Sequence, residues 1–557
     1  IDLVCELLEE AINPEAGINF TGALSGGANP TQGKISNGLL SVLQTARLPV
    51  TDSALILETE TTTGSAATLP HYLRDKQVVC KIINTGGNNY KVFRLRQTLS
   101  PAEELAAAPE YVNTAAYSTL KGADYAFVLP FDLDHAEAKA YFTRYDIARA
   151  ALMEDFQAAG IPEDKSIAAE RLGLTDAERN LIVTPKANMP DQQSCWNAPA
   201  QWDDPPVMGN VLDYMKRVDH FLDKTGLTYK DLDLLLALSF IDPADNLFIK
   251  HLDLSCDTAQ KEIATLNVAA LDRIHRFLRL QKKTGWKLEA LDEIISQTKL
   301  GKGTLNDACL IKAADLLKLS AKTGIKVEEL TGFYGEIPHT ILNDEVPKPL
   351  YQQIFLNKAK NGFIDEGLLP EEIDGTALLS NFITSISVCL QIKEQDLNKL
   401  LALLPDGSLT FSNLSRLFAA SRLMRKLKLK VDDYIMLADL TALDASNSPA
   451  DTLKFVEAAE SLNQSPLKLA DVLFMLRHEA GNLADREIKD DKIKSILEKL
   501  QSEYQSNFAA NRSLFNAGMS AGEHQEILQN SLAGLSSVGE EDVKTFLKFI
   551  DRDWTSA

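Results

Sequence analysis

The 557-residue sequence has no Cys-x-x-Cys pair, few histidines and no stretch near the roughly 18 uninterrupted apolar residues of a membrane span, and its bases are too few to balance its acids. Each shortage excludes something. The six cysteines, Cys5, Cys80, Cys195, Cys256, Cys309 and Cys389, lie far apart, which fits reduced, buried thiols made in a reducing cytoplasm better than a disulfide framework or a zinc site. Lys and Arg number 57 against 78 Asp and Glu, and the resulting net charge of −21 repels phosphate backbones and anionic head groups. Nucleic acid is thereby excluded as a partner class, and no segment suits direct membrane insertion. Neither an initiating Met nor a basic, cleavable leader opens the chain. It starts inside an amphipathic helix, with Ile1, Leu3, Val4, Leu7, Leu8, Ala11 and Ile12 near one face, so a piece excised from a longer protein is expected.

What is present is mostly helical periodicity, with one interruption. Residues 13–70 are rich in Gly, Thr, Ser and Asn and predict largely irregular structure. Residues 77–83 and 90–96, β-branched and aromatic, flank Asn84-Thr85-Gly86-Gly87-Asn88-Asn89 and predict an antiparallel hairpin with a glycine-enabled loop. Helical spacing returns over 134–183, where Gly173 separates two helices and Thr175 to Glu178 reads as a capping box. Residues 185–206 hold five prolines and predict a boundary loop.

Beyond that loop the tripeptide Lys-Thr-Gly occurs three times, at Lys224-Thr225-Gly226, Lys283-Thr284-Gly285 and Lys322-Thr323-Gly324, each time between two apolar-periodic runs. In the middle copy Leu271, Ile274 and Leu278 form one stripe, Gly285 stops the helix, and Leu288, Leu291, Ile294 and Ile295 begin another. Each copy therefore predicts a helical hairpin whose glycine is left-handed, with a cation at the negative end of the first helix and acids in the first turn of the second. Thr228 to Asp231 supplies a cap in the first copy, and residues 391–397, 429–434 and, more weakly, 467–471 echo the turn. The uneven spacing predicts a mainly α fold, an irregular stack of helical hairpins forming a multi-helical shell, with a small β-hairpin insertion near the N-terminal part. The expected divisions are 1–133 (helix, irregular segment, β-hairpin), 134–206 (helical pair and proline-rich loop), 207–345 and 346–505 (two groups of hairpins), and 506–557 (helices leading to a further domain).

Motifs that suggest chemistry are incomplete. Lys-Thr-Gly accompanies Ser-x-x-Lys and Ser-Asp-Asn in serine β-lactamases, yet Ser-Asp-Asn is absent, Lys-Thr-Gly is repeated, and the Ser-x-x-Lys matches at 118–121 and 465–468 are short, the second containing Pro466. Residues 27–34 resemble a phosphate loop with one residue too many between Gly27 and Gly33, and Ile35 stands where a magnesium-binding Ser or Thr belongs. His251 and Asp253 lack further metal ligands at suitable spacing, and His275 lies among Ile274 and Leu278 as a core histidine. Asp203-Asp204 before Pro205-Pro206 reads as a loop rather than an acid–base pair, and Trp196 and Trp202 read as anchors of that loop. No catalytic, cofactor or metal residue is assigned, and no enzyme is expected.

Five segments, IDLVCELLE at 1–9, LPFDL at 129–133, ERLGLTDAER at 170–179, RFLRLQ at 276–281 and LYQQIFLN at 350–357, resemble in order the A component of bacterial Tc (toxin complex) insecticidal toxins. The stretch so matched belongs to the α-helical shell of that component. The resemblance implies a homopentamer, a virulence factor made in the bacterial cytoplasm and released or secreted, that binds a host surface and delivers a toxic partner subunit. The chain departs from the full pattern in showing no long β receptor-binding domains and no pore-forming helices, so translocation is not expected to reside in it. A helical-repeat adaptor for a protein partner, unconnected with toxins, is the alternative.

Overall fold

The computed structural model describes residues 2–14, 16–27, 34–46, 48, 50, 56–59, 70–75, 79–95, 113–203, 206–342, 348–477, 489–510, 518, 520–536 and 539–550. Two compact units divide the chain, Ile1–Ala458 and Ala459–Ala557. The fold is mainly α, with small antiparallel sheets.

The expected β-hairpin exists and is the centre of a larger sheet. Strands β1 (Ile18–Thr21), β2 (Ile56–Thr59), β3 (His71–Arg74), β4 (Val79–Gly86) and β5 (Asn89–Leu95) run antiparallel in the order β1-β5-β4-β3-β2. Alternation decides which side chains point inward: Cys80 and Ile82 of β4 are wholly buried, as is Val92 of β5 opposite Ile82. Against this face packs the helix Asn37–Thr45, capped by Ser36 Oγ and burying Leu39 and Leu43. Residues 13–70 are thus less irregular than their composition predicts. β1 and β2 are only four residues each, and pairing with β5 and β3 makes them strands. The turn is also tighter than the expected six-residue loop. Pairing continues to Gly86 and Asn89 past a bulge, leaving Gly87 and Asn88 as the turn. Residues 77, 78 and 96 of the expected hairpin lie outside the described residues.

The helical hairpins follow the predicted chemistry closely. Helices Val218–Thr225 and Tyr229–Leu236, Val268–Thr284 and Leu288–Ser296, and Asp307–Thr323 and Val327–Leu330 are joined at Gly226, Gly285 and Gly324, with φ of +68°, +67° and +66°. Gly173 does the same between Asp164–Arg171 and Asp176–Val183 at +75°. In the echoes, Gln391 and Lys428 occupy the left-handed position at +58° and +57°, without glycine. Thr175 with Glu178 and Thr228 with Asp231 form complete capping boxes. A Cβ added at Gly285 meets nothing within 4 Å, so Gly285→Val reads the backbone cost alone. It is expected to destabilise by about 1–2 kcal/mol, and an unchanged melting midpoint would contradict the left-handed cap.

The proline-rich stretch 185–206 contains a helix where a loop was expected. Met189–Trp196 starts at an Asn188 cap, and Pro190 sits in its first turn, where a missing N–H costs no hydrogen bond. In the second unit, helices Leu469–Arg477, Asp490–Ala510, Ala521–Ser536 and Glu540–Ile550 are described. Asp490–Ala510 leaves Ile493, Ile496, Leu497 and Tyr504, spaced as one apolar stripe, exposed. Among the described residues no helix is long and apolar enough to cross a membrane.

Candidate functional site

The densest polar construction in the first unit centres on the helix Val268–Thr284. Its apolar positions Leu271, Ile274, Phe277, Leu278 and Leu280 are wholly buried, but so, nearly, are Asp272, His275, Arg276 and Arg279. Burying such groups is costly unless each finds a partner, and here each does. Arg276 donates through Nε to Asp272 (2.9 Å) and through Nη1 to the carbonyls of Ile182 and Leu305, both 3.2 Å away. Asp272 also accepts from the Lys186 amide at 2.7 Å. Arg279 donates to the carbonyls of Asp124, Ala126 and Leu129 and, at 3.2 Å, to His275 Nε2. One helix thereby ties together the segments 124–129, 182–186 and 305.

His275 is held neutral. Burial, and then the positive charges of Arg279 and Lys186, push its pKa well below the ordinary histidine value, so Nε2 is free to accept from Arg279. Phe127 and Trp196 flank the ring at 5.6 and 5.4 Å. Trp196, 1% exposed, donates to Gln192 Oε1 and packs on Phe127 and Phe221, which pins the proline-rich stretch to the core. Trp202 packs edge-on to Tyr214, while Asp203 pairs with Arg217; Asp204 lies outside the described residues.

A second construction links successive helices through lysines. Lys224 Nζ donates to Asn197 O, the C-cap of Met189–Trp196, at 2.9 Å. Lys282 Nζ reaches Thr225 O at 2.7 Å, and Lys426 Nζ reaches Gly324 O at 3.4 Å. Each lysine comes from the last turn of its own helix or next to it and neutralises the orphan carbonyls of an earlier one, where the macrodipole is negative. Lys283, in the same turn, pairs with buried Glu178. Lysines at helix C-termini, Lys224 of the repeat and its neighbours Lys282 and Lys426, therefore clasp one helix to another, while the repeat's Lys283 and Lys322 pair with Glu178 and Glu457. Lys282→Met is expected to cost about 1 kcal/mol, against no measurable change for Lys287→Met, in chemical denaturation.

The other sequence candidates are dispersed. Ser118 donates to Thr114 O within its helix and Lys121 pairs with Asp132, while Ser465 closes a turn on Leu467 N. Of residues 27–34, which resemble an incomplete phosphate loop, 28–33 lie outside the described residues; Gly26, just before the segment, donates to Lys34 O at its end. His251 and Asp253 are exposed, and Asp253 accepts from the amide and hydroxyl of Ser255. Among the described residues no group of three or more His, Cys, Asp or Glu could hold a metal ion. Burial raises the thiols of Cys195, Cys309 and Cys389 to about 11, 12 and 11, which keeps them protonated and poor nucleophiles at neutral pH.

Several buried carboxyls carry a pH signature, Asp292 among them. Burial raises Glu293, bonded by Gln297 Nε2 at 2.6 Å, to about 7 and Asp315 to about 6. Both acids hold their protons more tightly folded than unfolded, so their contribution is complete below pH ~4 and is lost as pH rises towards 7. Glu293→Gln is expected to raise the melting midpoint at pH 7.5 and leave it unchanged at pH 4. Equal shifts at both pH values would contradict the assignment.

No protein-family model matches the sequence, and no curated protein matches it. Among solved structures, the chain is similar to the cryo-EM structure of Morganella morganii TcdA4, with a TM-score of 0.52 and 11% identity over 82% of this chain and 24% of that one. A cryo-EM structure of Yersinia pseudotuberculosis TcaA-TcaB matches with a TM-score of 0.35 and 13% identity over 70% of this chain and 20% of that one. The chain spans about a quarter of the TcdA4 chain and shares the fold of that part.

Proposed function

We propose that this chain is a wall segment of the helical shell of a Tc toxin A component, a scaffold and not an enzyme. The observation that carries the reading is the shared fold with part of TcdA4, which falls on the same family as the sequence resemblance. The physical design supports it. Hairpins clasped by lysines and tied by a buried arginine helix make a stiff body, and its most deeply placed polar side chains are committed to backbone carbonyls rather than converging on a substrate. The exposed stripe of Asp490–Ala510 offers a surface for association.

In this reading the whole protein assembles as a homopentamer, is released from the bacterial cytoplasm, binds a host surface and delivers a toxic partner subunit, while this segment builds the wall. The test is to restore the flanking segments of the native gene and measure native mass and particle shape. A five-fold particle that retains partner subunits is expected; a monomer at micromolar concentration overturns the assembly. Turnover of an ester, glycoside or phosphoester abolished by one point substitution would overturn the scaffold reading itself.

A further inference from the structure

In the first unit the strands Phe248–His251 and Lys261–Ala264 form a two-stranded antiparallel sheet. One of its edges is met by another segment, since Arg217 bridges Glu262 from the far side of Lys261–Ala264. The other edge is open, and the register shows which backbone groups it presents. Phe248 pairs with Ala264 and Lys250 with Glu262, and in the same register Leu252 N donates to Gln260 O at 2.9 Å. Bonded positions alternate along an antiparallel pair, so Phe248, Lys250 and Leu252 turn their backbone groups towards Lys261–Ala264, while the N–H and C=O of Ile249 and His251 point away from it. Among the described residues no backbone bond to another segment satisfies them.

The solvent face of this edge is apolar. Phe248 and Leu252 are about half exposed, Leu254 beyond them is fully exposed, and Lys250, also exposed, stands between the first two on the same face. An open ladder edge beside bare aromatic and aliphatic side chains is a template for a further strand.

We propose that this edge takes up an extended segment of another polypeptide as a third strand, one that carries an acid with apolar residues two positions to either side. Ile249 and His251 supply the backbone hydrogen bonds, Lys250 faces the acid, and Phe248 and Leu252 face the apolar pair. Glu262, opposite Lys250 on the neighbouring strand, then leaves the ammonium in a row between two carboxylates. Lys250 also works against pairing with the same edge of a second copy. The antiparallel register that uses both outward residues sets Ile249 against His251 of the copy and so sets Lys250 against its own counterpart, where like charges repel.

Such a strand would dock on this edge in a scaffold or an adaptor alike. The test is fluorescence anisotropy of the whole chain with a labelled, end-blocked heptapeptide, Thr-Val-Thr-Glu-Thr-Val-Thr, whose Val, Glu and Val share one face. Saturable binding is expected. The peptide with Lys in place of Glu should bind several-fold more weakly. N-methylation of the two threonines that flank Glu, whose amides would meet Ile249 and His251, should abolish binding. Lys250→Glu should reverse the order of the Glu and Lys peptides. His251→Pro deletes an outward N–H that no ladder bond uses, so it should leave the fold intact and lose the peptide. Should His251→Pro fail to fold, Lys250→Glu, at an exposed side chain, decides alone. No saturable binding, or binding indifferent to N-methylation or to Lys250→Glu, overturns the proposal. A doubled native mass that His251→Pro returns to that of one chain also overturns it, because the edge is then occupied by a second copy.

Discussion

Arg279→Met is expected to lower stability by about 3–5 kcal/mol and to expose the segment 124–129 to limited proteolysis. Arg279 is 2% exposed, and its guanidinium is the common donor for the carbonyls of Asp124, Ala126 and Leu129 and for His275. Methionine fills much of the volume but leaves those acceptors buried and unpaired, and each orphan costs about 1–3 kcal/mol, with partial relief from relaxation. Arg279→Lys retains the charge without the fork and should lose most of the same stability. Arg273→Met removes a single bond, to Ile241 O, and should cost much less. A loss below about 1 kcal/mol for Arg279→Met would show that water or a rearranged loop satisfies the carbonyls instead.

Gly301→Ala is expected to cost about 3 kcal/mol or more, although alanine is the smallest possible addition. The chain doubles back here, after the helix Leu288–Ser296, before entering Asp307–Thr323. A Cβ at Gly301 would stand 2.3 Å from Ile295 O, 2.8 Å from Ile295 Cα and 2.9 Å from Cys309 Sγ. Two of these are backbone atoms of a helix end that is also bonded to this turn through Gly301 N to Ile294 O and Gly303 N to Ile295 O. No rotamer change relieves the clash; the turn must move. Gly303→Ala is the contrast, since its Cβ meets nothing within 4 Å and only its φ of +75° opposes substitution. Equal denaturation midpoints for the two variants would refute the close approach.

The turn chemistry was readable because all its parts lie within a few residues. Lys-Thr-Gly announces a left-handed stop, Thr228 and Asp231 cap the next helix, and the apolar spacing of Leu271, Ile274 and Leu278 names the buried face. Such interactions depend on local dihedrals and survive changes of context. The helix in 185–206 was missed because five prolines were read as breakers, although one at the first turn is compatible with a helix. β1 and β2 were missed for the opposite reason: four residues carry no usable period, and only cross-strand pairing selects the strand conformation.

By itself the sequence determined the class of fold, the repeated hairpin and the left-handed glycines, since these follow from periodicity and capping. Only the tertiary structure decided what the polar residues of the repeat do. Lys282 meets Thr225 across 57 residues, Arg279 meets Asp124 across 155, and Arg422 comes beside Glu329 and Lys360 from a different helix. Hydrogen bonds and ion pairs act over a few ångströms, and which distant carbonyl or charge falls within that reach is set by how the hairpins stack, a property no local window of sequence contains.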